Sequence, residues 1–304
     1  MFVVNNRKLF YILSGILMLG SLVSLLLWGL KPGIDFRGGS LLEVSYAEEA
    51  PAKTEVEKTL EEFKVSASVR PTGEEGYIIR MRELSESERA AVIAALSAGG
   101  EGLTVERFDS VGPILGQEAA GKSFAAIGLV ILCIVLFITF AFRKVSEPVS
   151  SWKYGIITII ALVHDVLVPA GVFAYLGHFR GVEVDTLFVT ALLVVLGFSV
   201  HDTIVVFDRV RENLKVSRET RDKKDFATIV GESIEQTFVR SINTSLTTIF
   251  AIAVLYVIGP EITKHFSLAL LIGLIAGTYS SIFLASPLLV TVEKWQTKGG
   301  EKSR

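Results

Sequence analysis

The feature that most constrains this fold is a series of apolar segments, each long enough to cross a lipid bilayer. Crossing about 30 Å of hydrocarbon takes ~20 mostly apolar residues in a helix. Six segments of the 304-residue sequence approximate that requirement: 10–30, 123–142, 154–176, 184–207, 241–258 and 266–290. The mean hydropathy of +0.52 agrees with this pattern. The sequence therefore predicts a polytopic α-helical membrane protein with six transmembrane helices.

The composition narrows the classes of function that are open to the chain. Charged residues still make up 20% of the sequence, so a hydrated part is expected beside the membrane helices. A formal net charge of -2 does not suit the basic face of a nucleic-acid-binding protein, and no nucleic-acid partner is expected. The single cysteine, Cys133, excludes an internal disulfide and a cysteine metal site. The histidines have no ligand spacing, so no metal site is predicted. The sequence also lacks a nucleophile–base constellation and a phosphate loop, so no enzyme is predicted.

Basic residues in the loops predict how the chain crosses the membrane, because cytoplasmic loops carry an excess of Lys and Arg. The cations lie before the first span and after the second, fourth and sixth: Arg7, Lys8, Arg143, Lys144, Lys153, Arg209, Arg211, Lys215, Arg218, Arg221, Lys223, Lys224, Lys294, Lys298, Lys302 and Arg304. The first apolar segment is too long for a signal peptide and lacks an A-x-A-like site, so it is interpreted as an uncleaved anchor. Both termini are therefore predicted to be cytoplasmic, and the long insert 31–121 extracytoplasmic.

The insert between the first two spans has the pattern of a small soluble domain. Alternating apolar residues predict strands at 40–46, 66–70, 77–82 and 103–110, and amphipathic periodicity predicts helices at 53–63 and 85–96. Ser85 and Glu88 have the spacing of a capping box at the start of the second helix. The order βαββαβ is that of a split βαβ unit, so an extracytoplasmic ferredoxin-like α+β domain is predicted after helix 1.

Ionisable residues inside the apolar segments are the candidate functional residues, since an unpaired charge in hydrocarbon costs at least ~2.5 kcal/mol on insertion scales. Asp202 follows His201 within the fourth span, and Arg240 lies at the head of the fifth. Polar residues that share a helix face with Arg240 are Asn243, Thr244 and Thr247. Because the two polar stripes lie at similar depth, we predict that Asp202 and Arg240 pair across neighbouring helices.

Structural interpretations of these residues remain open. Asp202 could form a static buried salt bridge or extend to the membrane interface, and His201 could bond a backbone carbonyl. Asn243 and Thr244 could join helices by hydrogen bonds. Charges expected where the fourth helix leaves the membrane are Asp208 and Arg209, and a mainly structural role is expected for His164 and Asp165 in the third span.

Small residues recur every four positions along the sixth span: Ala269, Gly273, Gly277, Ser281 and Ala285. Such a seam lets a second helix approach closely. It predicts a compact bundle, with Gly273, Gly277 and Ser281 at a helix–helix contact.

Five motifs of the sequence resemble the SecF family, whose members form the smaller subunit of the bacterial SecDF accessory complex for protein export. They are GIDFRGGS (33–40), SVGPILGQE (110–118), HDTIVVFDRVREN (201–213), TFVRSINTSLTT (237–248) and GTYSSIFLASPLL (277–289). The resemblance covers nearly the whole chain. It divides the chain into a cytoplasmic N-terminus with helix 1 (1–30), the soluble domain (31–121), helices 2–6 (122–292) and a cytoplasmic tail (293–304).

The resemblance implies a function that residue spacing alone does not show. The family belongs to the RND superfamily, so the six helices would form half of a twelve-helix bundle completed by SecD in the bacterial cytoplasmic membrane. Further implied partners are the SecYEG channel, YajC, YidC, the exported unfolded polypeptide and membrane lipid. The complex uses the proton-motive force to assist export; protons are the coupling ion, and no other cofactor is expected. Carried onto this sequence, Asp202 is the proton-coupling acid, Arg240 its basic counterpart, and Asn243 and Thr244 lie beside them.

The resulting hypothesis is that Asp202 is charged when Arg240 is close and protonated when the two separate. The bundle would pass this change to the soluble domain through junction residues that act either as hinges or as tight turns: Gly33, Asp35, Gly38, Gly39, Gly112 and Gly116. Two other functions remain open at this point. One is an RND-type proton-driven exporter of lipid or small molecules, and the other is a non-transducing scaffold for SecD.

Overall fold

The structure is a computed structural model that describes residues 1–47, 50–63, 65, 67–73, 75–99, 102–143, 149–220 and 224–301, without the side chains of 261 and 297–301. Several predictions fall on positions outside this range: Lys144, Arg221, Lys223, Lys302 and Arg304 of the basic regions, and the first residue of the predicted strand 66–70. The side chain of Lys298 also lies outside the described atoms.

The described elements follow one another along the chain as helices, a small sheet, and helices again. In order they are α1 (Phe2–Asn5), α2 (Arg7–Trp28), α3 (Ile34–Arg37), β1 (Gly39–Ser45), α4 (Lys53–Glu62), β2 (Ala67–Thr72), β3 (Gly76–Met81), α5 (Glu86–Ala98), β4 (Thr104–Val111), α6 (Pro113–Ala141), α7 (Ser151–Phe179), α8 (Thr186–Glu219), α9 (Phe226–Ile258), α10 (Glu261–Tyr279), a π-helix (Ser280–Ala285) and α11 (Ser286–Glu301). Within the described residues, contacts divide the chain into a helical unit, Met1–Lys31 with Ala125–Arg304, and an α/β unit, Pro32–Phe124.

The helical unit provides the predicted membrane spans. Six helical stretches of the described chain are long and apolar enough to cross a bilayer: Arg7–Trp28, Pro113–Ala141, Ser151–Phe179, Thr186–Glu219, Phe226–Ile258 and Ile262–Gln296. The prediction of six spans is confirmed, although most of the helices are longer than the apolar segments that predicted them.

Polar and charged turns account for the extra length. Beyond the apolar part of α8, Lys215 and Glu219 approach to 3.9 Å at the spacing i, i+4, which supports an exposed helix. The next helix, α9, begins at Phe226 because the side chain of Asp225 accepts a hydrogen bond from the backbone N–H of Thr228. The sixth span is two α-helices joined by the π-helix, and α11 continues through Glu301, so the predicted tail 293–304 begins inside a helix.

The buried core of the helical unit contains an aromatic cluster. The rings of Phe142 and Tyr154 stack with their centroids 5.2 Å apart, and Phe207 of α8 meets Tyr154 edge-on at 5.2 Å. All three side chains are buried. These contacts hold the end of α6, the start of α7 and the middle of α8 together, which fixes the helix that carries Asp202.

The α/β unit has the predicted ferredoxin-like arrangement. In the described part of the chain its four strands follow the order β2-β3-β1-β4, with every neighbouring pair antiparallel. Leu42 of β1 lies opposite Ile79 of β3, and both are buried with Val56 and Leu60 of α4. Alternate positions of each strand therefore face the two helices, as period-2 patterning predicts.

The predicted capping box at α5 is present. The Ser85 hydroxyl accepts from the backbone N–H of Glu88, and the carboxylate of Glu88 accepts from the backbone N–H of Ser85 at 2.9 Å. A side-chain hydrogen bond from Arg82, followed by the bonds from Ser85, lowers the pKa of the Glu88 carboxyl to about 2. The local sequence therefore fixes where this helix begins.

Candidate functional site

The candidate site is built around a carboxylate in the middle of α8. Asp202 is 2% exposed, although it lies in an apolar span. Its Oδ2 accepts a hydrogen bond from the hydroxyl of Ser245 on α9, at 3.2 Å. A carboxylate that is removed from water and bound by a neutral donor can take up a proton without breaking an ion pair. The geometry therefore suits reversible protonation.

The adjoining histidine takes no part in this burial. The side chain of His201 is 63% exposed, and its Nδ1 lies 3.9 Å from Oδ1 of Asp202. Consecutive residues of an α-helix point about 100° apart, so one of them faces the bundle while the other faces outward. His201 thus lies at the edge of the site, on the surface of the single chain.

The structure corrects the predicted partner of Asp202. Among the described residues no ion pair within 4 Å joins Asp202 to Arg240, and Arg240 is exposed on the single chain. Of its predicted companions, Asn243 and Thr247 are exposed and Thr244 is half-buried. The prediction placed α9 at the right depth next to α8, and in this arrangement the face of α9 that contacts Asp202 carries Ser245 instead of Arg240.

The face of α9 that is buried carries small hydroxyl residues at intervals of four: Ser233, Thr237, Ser241 and Ser245. The hydrogen bonding extends from Ser245 to a third helix, because the hydroxyl of Thr278 on α10 lies 2.7 Å from the Ser245 Oγ. Three helices are thus connected in the order Asp202, Ser245, Thr278. Sequence analysis missed Ser245 and Thr278. The spacing of four among the hydroxyl residues of α9 was the signal that could have found Ser245.

The charges one to two turns beyond Asp202 pair along α8 itself. Asp208 is exposed and its Oδ1 lies 3.3 Å from Arg211 Nη1, while Arg209 Nη1 is 2.8 Å from Glu212 Oε2. Exposed pairs of this spacing contribute a few tenths of a kcal/mol to a helix. They mark the stretch where the exposed side of α8 becomes charged, while Val210 and Leu214 keep its other side buried.

The seam of small residues lies where α10 packs against α8. A Cβ built on Gly273 would come within 2.3 Å of Val195 Cγ2, and one built on Gly277 would come within 3.0 Å of Ser199 Cβ. The hydroxyl of Ser281 lies 2.8 Å from Thr203 Oγ1. Because side chains are absent at the two glycines, the helix backbones approach closely enough for these polar contacts.

The junction glycines cluster within the α/β unit. Gly38 and Gly39 have φ of +77° and +128°, and a Cβ on Gly38 would come within 2.7 Å of Pro113 Cα. A Cβ on Gly116 would come within 2.8 Å of the Gly38 backbone nitrogen. Both motifs therefore pack backbone against backbone at the start of α6. Gly33 precedes α3, Asp35 lies within it, and Gly112 follows β4, so these three bound the same cluster.

Six apolar helices with a ferredoxin-like domain in the first long loop, and a buried acid at a helix–helix contact, define a polytopic membrane protein with a candidate proton site. Two protein families match the sequence. "Protein export membrane protein SecD/SecF, C-terminal" covers residues 92–295, and "SecD/SecF GG Motif" covers residues 24–50. The chain belongs to the SecD/SecF family of protein export membrane proteins.

Individual relatives agree with this assignment. "Protein translocase subunit SecF" of Thermobaculum terrenum is 45% identical over 97% of this chain and 94% of its own length. The protein of the same name from Anaerolinea thermophila is 40% identical over 96% and 94%. The crystal structure of SecDF from Thermus thermophilus, "a translocon-associated membrane protein", superposes with a TM-score of 0.79 at 28% identity. The match covers 96% of this chain but spans 38% of that longer chain.

Proposed function

We propose that this protein is the SecF-type subunit of a SecDF-like protein translocase and that it couples proton movement to the export of unfolded polypeptides. Family membership supports the export role. The observation that carries the coupling role is the position of Asp202, which is buried within a membrane span and bonded by a hydroxyl from the next helix. Ionisable residues at such positions commonly form proton pathways.

The proposed cycle uses two arrangements of α8 and α9. The first is the described arrangement, in which Ser245 bonds Asp202 and Arg240 is apart from it. In the proposed cycle Asp202 takes up its proton in this arrangement. In the other, the guanidinium of Arg240 approaches the ionised carboxylate. A membrane potential supplies ~2.3 kcal/mol per charge per 100 mV. That energy is comparable with the gap of a few kcal/mol between two conformations of a protein, so proton entry and exit can drive the exchange.

The α/β unit is the proposed output of this cycle. Its junction with α6 depends on Gly38, Gly39 and Gly116, whose positions leave no room for side chains. A change in α6 would therefore act through direct backbone contact on Phe36 and Gly38, which lead into β1. In this proposal the α/β unit lies outside the cytoplasmic membrane, both termini are cytoplasmic, and the domain acts on the emerging polypeptide.

The exposed apolar surface supports a partner within the membrane. Large side chains on α6, among them Phe137 and Phe140, are exposed on the single chain, as are Phe250 and Val254 of α9. Such a surface is covered by lipid or by another apolar helix bundle. We propose a SecD-type subunit as that bundle, with the SecYEG channel, YajC and YidC as further partners of the complex.

The test is Asp202→Asn in the reconstituted pair with its SecD-type partner. Stimulation of export by a proton gradient should be lost, while membrane insertion and co-purification of the partner stay unchanged. The matched control is Asp208→Asn, which removes an exposed acid from the same helix. Undiminished proton-dependent stimulation in Asp202→Asn would contradict the coupling role.

The same reconstitution separates the alternative functions. A non-transducing scaffold would support export without any proton conductance through the pair. An exporter of lipid or small molecules would move those compounds while leaving polypeptide export unaffected. Proton conductance that disappears with Asp202→Asn, together with loss of gradient-stimulated export, is the outcome expected of a translocase subunit.

A further inference from the structure

A second buried acid lies in the helical unit and has no part in the proposed cycle. His164 and Asp165 are adjacent in the middle of α7, and both side chains are 0% exposed. Nδ1 of His164 lies 2.9 Å from Oδ1 of Asp165. An ionisable pair that is fully enclosed by an apolar bundle needs strong local partners or a function.

The carboxylate of Asp165 has donors on every neighbouring side. Beyond the ring of His164, its Oδ2 accepts from the hydroxyl of Ser199 on α8 and from that of Ser280 at the start of the π-helix, the latter at 2.8 Å. An ionised carboxylate accepts hydrogen bonds only and can take all three of these contacts. With Asp165 ionised and Nδ1–H of His164 turned to it, the opposite ring nitrogen decides the charge of the pair.

That opposite nitrogen is open. Nε2 of His164 is buried and has no hydrogen-bond partner among the described residues. A buried polar atom without a partner costs free energy and calls for an explanation. With Nδ1–H turned to the carboxylate, Nε2 carries a lone pair, and the pair as a whole has a charge of one negative unit. A proton on Nε2 turns it into a neutral imidazolium–carboxylate pair, with no other bond made or broken.

We propose that the His164–Asp165 pair is a second proton-binding site of the bundle, connected to Asp202 through the hydroxyl residues at the start of the π-helix. Thr278 contacts Ser245, the donor to Asp202, and Ser280 two residues later contacts Asp165. A π-helical turn within an α-helical span frequently accompanies a functional site. This inference deepens the proposed function and rests on its premise that the bundle exchanges protons.

A second link runs along α8. Ser199 donates to Asp165 and lies three residues before Asp202, so the two groups share one face of the helix. Both acids are thus held by α8, one directly and one through a serine. Because both acids are buried, a change of charge at either one alters the electrostatic potential at the other.

Of the titratable groups on the helices packed against α7, Asp202 on α8 is buried and Tyr279 on α10 lies against the pair. The others with described side chains are Arg7, Lys8 and Tyr11 on α2, His201 and the charged residues of 208–219 on α8, Lys264 and His265 on α10, and Glu293 and Lys294 on α11. The ring of Tyr279 lies against that of His164, with centroids 5.9 Å apart. Its hydroxyl donates to the backbone oxygen of Phe10, and the Tyr11 hydroxyl is 2.9 Å from Thr291 Oγ1. Asp202 is the buried acid among these groups, and Thr278, which contacts its donor Ser245, lies two residues before Ser280 on the same span.

The experiment is nitrogen NMR of the full chain, labelled with ¹⁵N-histidine and held with its SecD-type partner in lipid nanodiscs. The chain has four histidines, and single substitutions assign each signal. We expect the ring nitrogens of His164 to change from neutral to protonated shifts as the sample is acidified. Asp202→Asn should lower the proton affinity of His164 about tenfold, because it removes a nearby negative charge. His178, which is exposed near the end of the same helix, is the internal control and should not respond.

Ser280→Ala is the second variant, because it leaves both ionisable groups in place. Loss of one donor concentrates negative charge on Asp165, so His164 should bind its proton more tightly. Ring shifts of His164 that stay constant over the whole pH range would overturn the proposal, as would a His164 titration that Asp202→Asn leaves in place. The NMR experiment does not measure export. If proton-coupled export fails while His164 still responds to Asp202→Asn, the proposed function is refuted and the second proton-binding site is retained.

Discussion

Replacing Gly273 by Ala tests whether close contact between α10 and α8 holds the site together. The new Cβ would come within 2.3 Å of Val195 Cγ2 and 2.9 Å of Cγ1, whereas carbon atoms in contact keep about 3.5–4.0 Å apart. The helices would have to separate by about 1 Å or more. Val195 is 1% exposed, and a β-branched side chain in a helix has one strongly preferred rotamer, so it cannot move aside.

The magnitude follows from two opposing terms. Overpacking of a core costs about 1–3 kcal/mol, while Gly→Ala in a helix interior gains about 1 kcal/mol through backbone propensity. Gly197→Ala on α8 is the matched control, because within the described structure nothing lies within 4 Å of its Cβ position. The free energy of unfolding of Gly273→Ala should therefore fall about 1–3 kcal/mol below that of Gly197→Ala.

The assay is reversible unfolding of the purified chain in mixed micelles, with Val195→Ala and the Gly273→Ala/Val195→Ala double variant completing a cycle. Shortening Val195 makes room for the new methyl group, so the double variant should lose less stability than the sum of the single changes. Equal stability of Gly273→Ala and Gly197→Ala, or strictly additive losses, would refute the close-contact argument.

Two further predictions concern individual hydrogen bonds. Ser245→Ala removes the donor to Asp202 and should destabilise the bundle by about 1–3 kcal/mol in the same unfolding assay. The control is Ser241→Ala, which should be near neutral, because this equally buried serine has no hydrogen-bond partner among the described groups. Equal losses of stability in the two variants would be inconsistent with the bond. The hydrogen bond from Arg82, followed by those from Ser85, lowers the pKa of Glu88 from 4.5 to about 2. This carboxylate therefore stabilises the fold above pH 4.5, and the contribution is lost as the pH falls toward about 2. Glu88→Gln should flatten that loss in hydrogen exchange of the α5 amides, and an unchanged slope would argue against it.

The sequence allowed the architecture to be predicted because length and periodicity carry that information. Apolar segments of bilayer length predicted the spans, and the βαββαβ order predicted the sheet β2-β3-β1-β4. The polar ends of the helices were missed because hydropathy measures the part that resembles lipid. The π-helix was missed because neither Ser280 nor its neighbours differ from ordinary small helical residues.

The site was partly predictable for a similar reason. Depth along a helix can be counted from the sequence, and it placed α9 beside Asp202. Rotation about the axis cannot be fixed in this way, because Arg240 and Ser241 are one residue apart yet point about 100° away from each other. In the structure the buried hydroxyl residues of α9 face α8, so the donor to Asp202 is Ser245. Rotation was equally decisive for Asp165, whose contacts with Ser199 and Ser280 depend on the meeting of α7, α8 and the π-helix.

The widened turn at Ser280–Ala285 has a consequence for anyone who recombines this span with that of a relative. Its hydrogen bonds run five residues back, so the turn holds one residue more than an α-helical turn of the same rise. Deleting one residue there would turn the wide turn into an α-helical turn and leave the turns on either side in phase, whereas the same deletion in the α-helical part of the span would rotate everything beyond it by about 100°. Buried Leu289 and Val290 would keep their places relative to Gly273 only in the first case. A relative whose span lacks the wide turn should therefore be aligned with a one-residue gap inside 280–285.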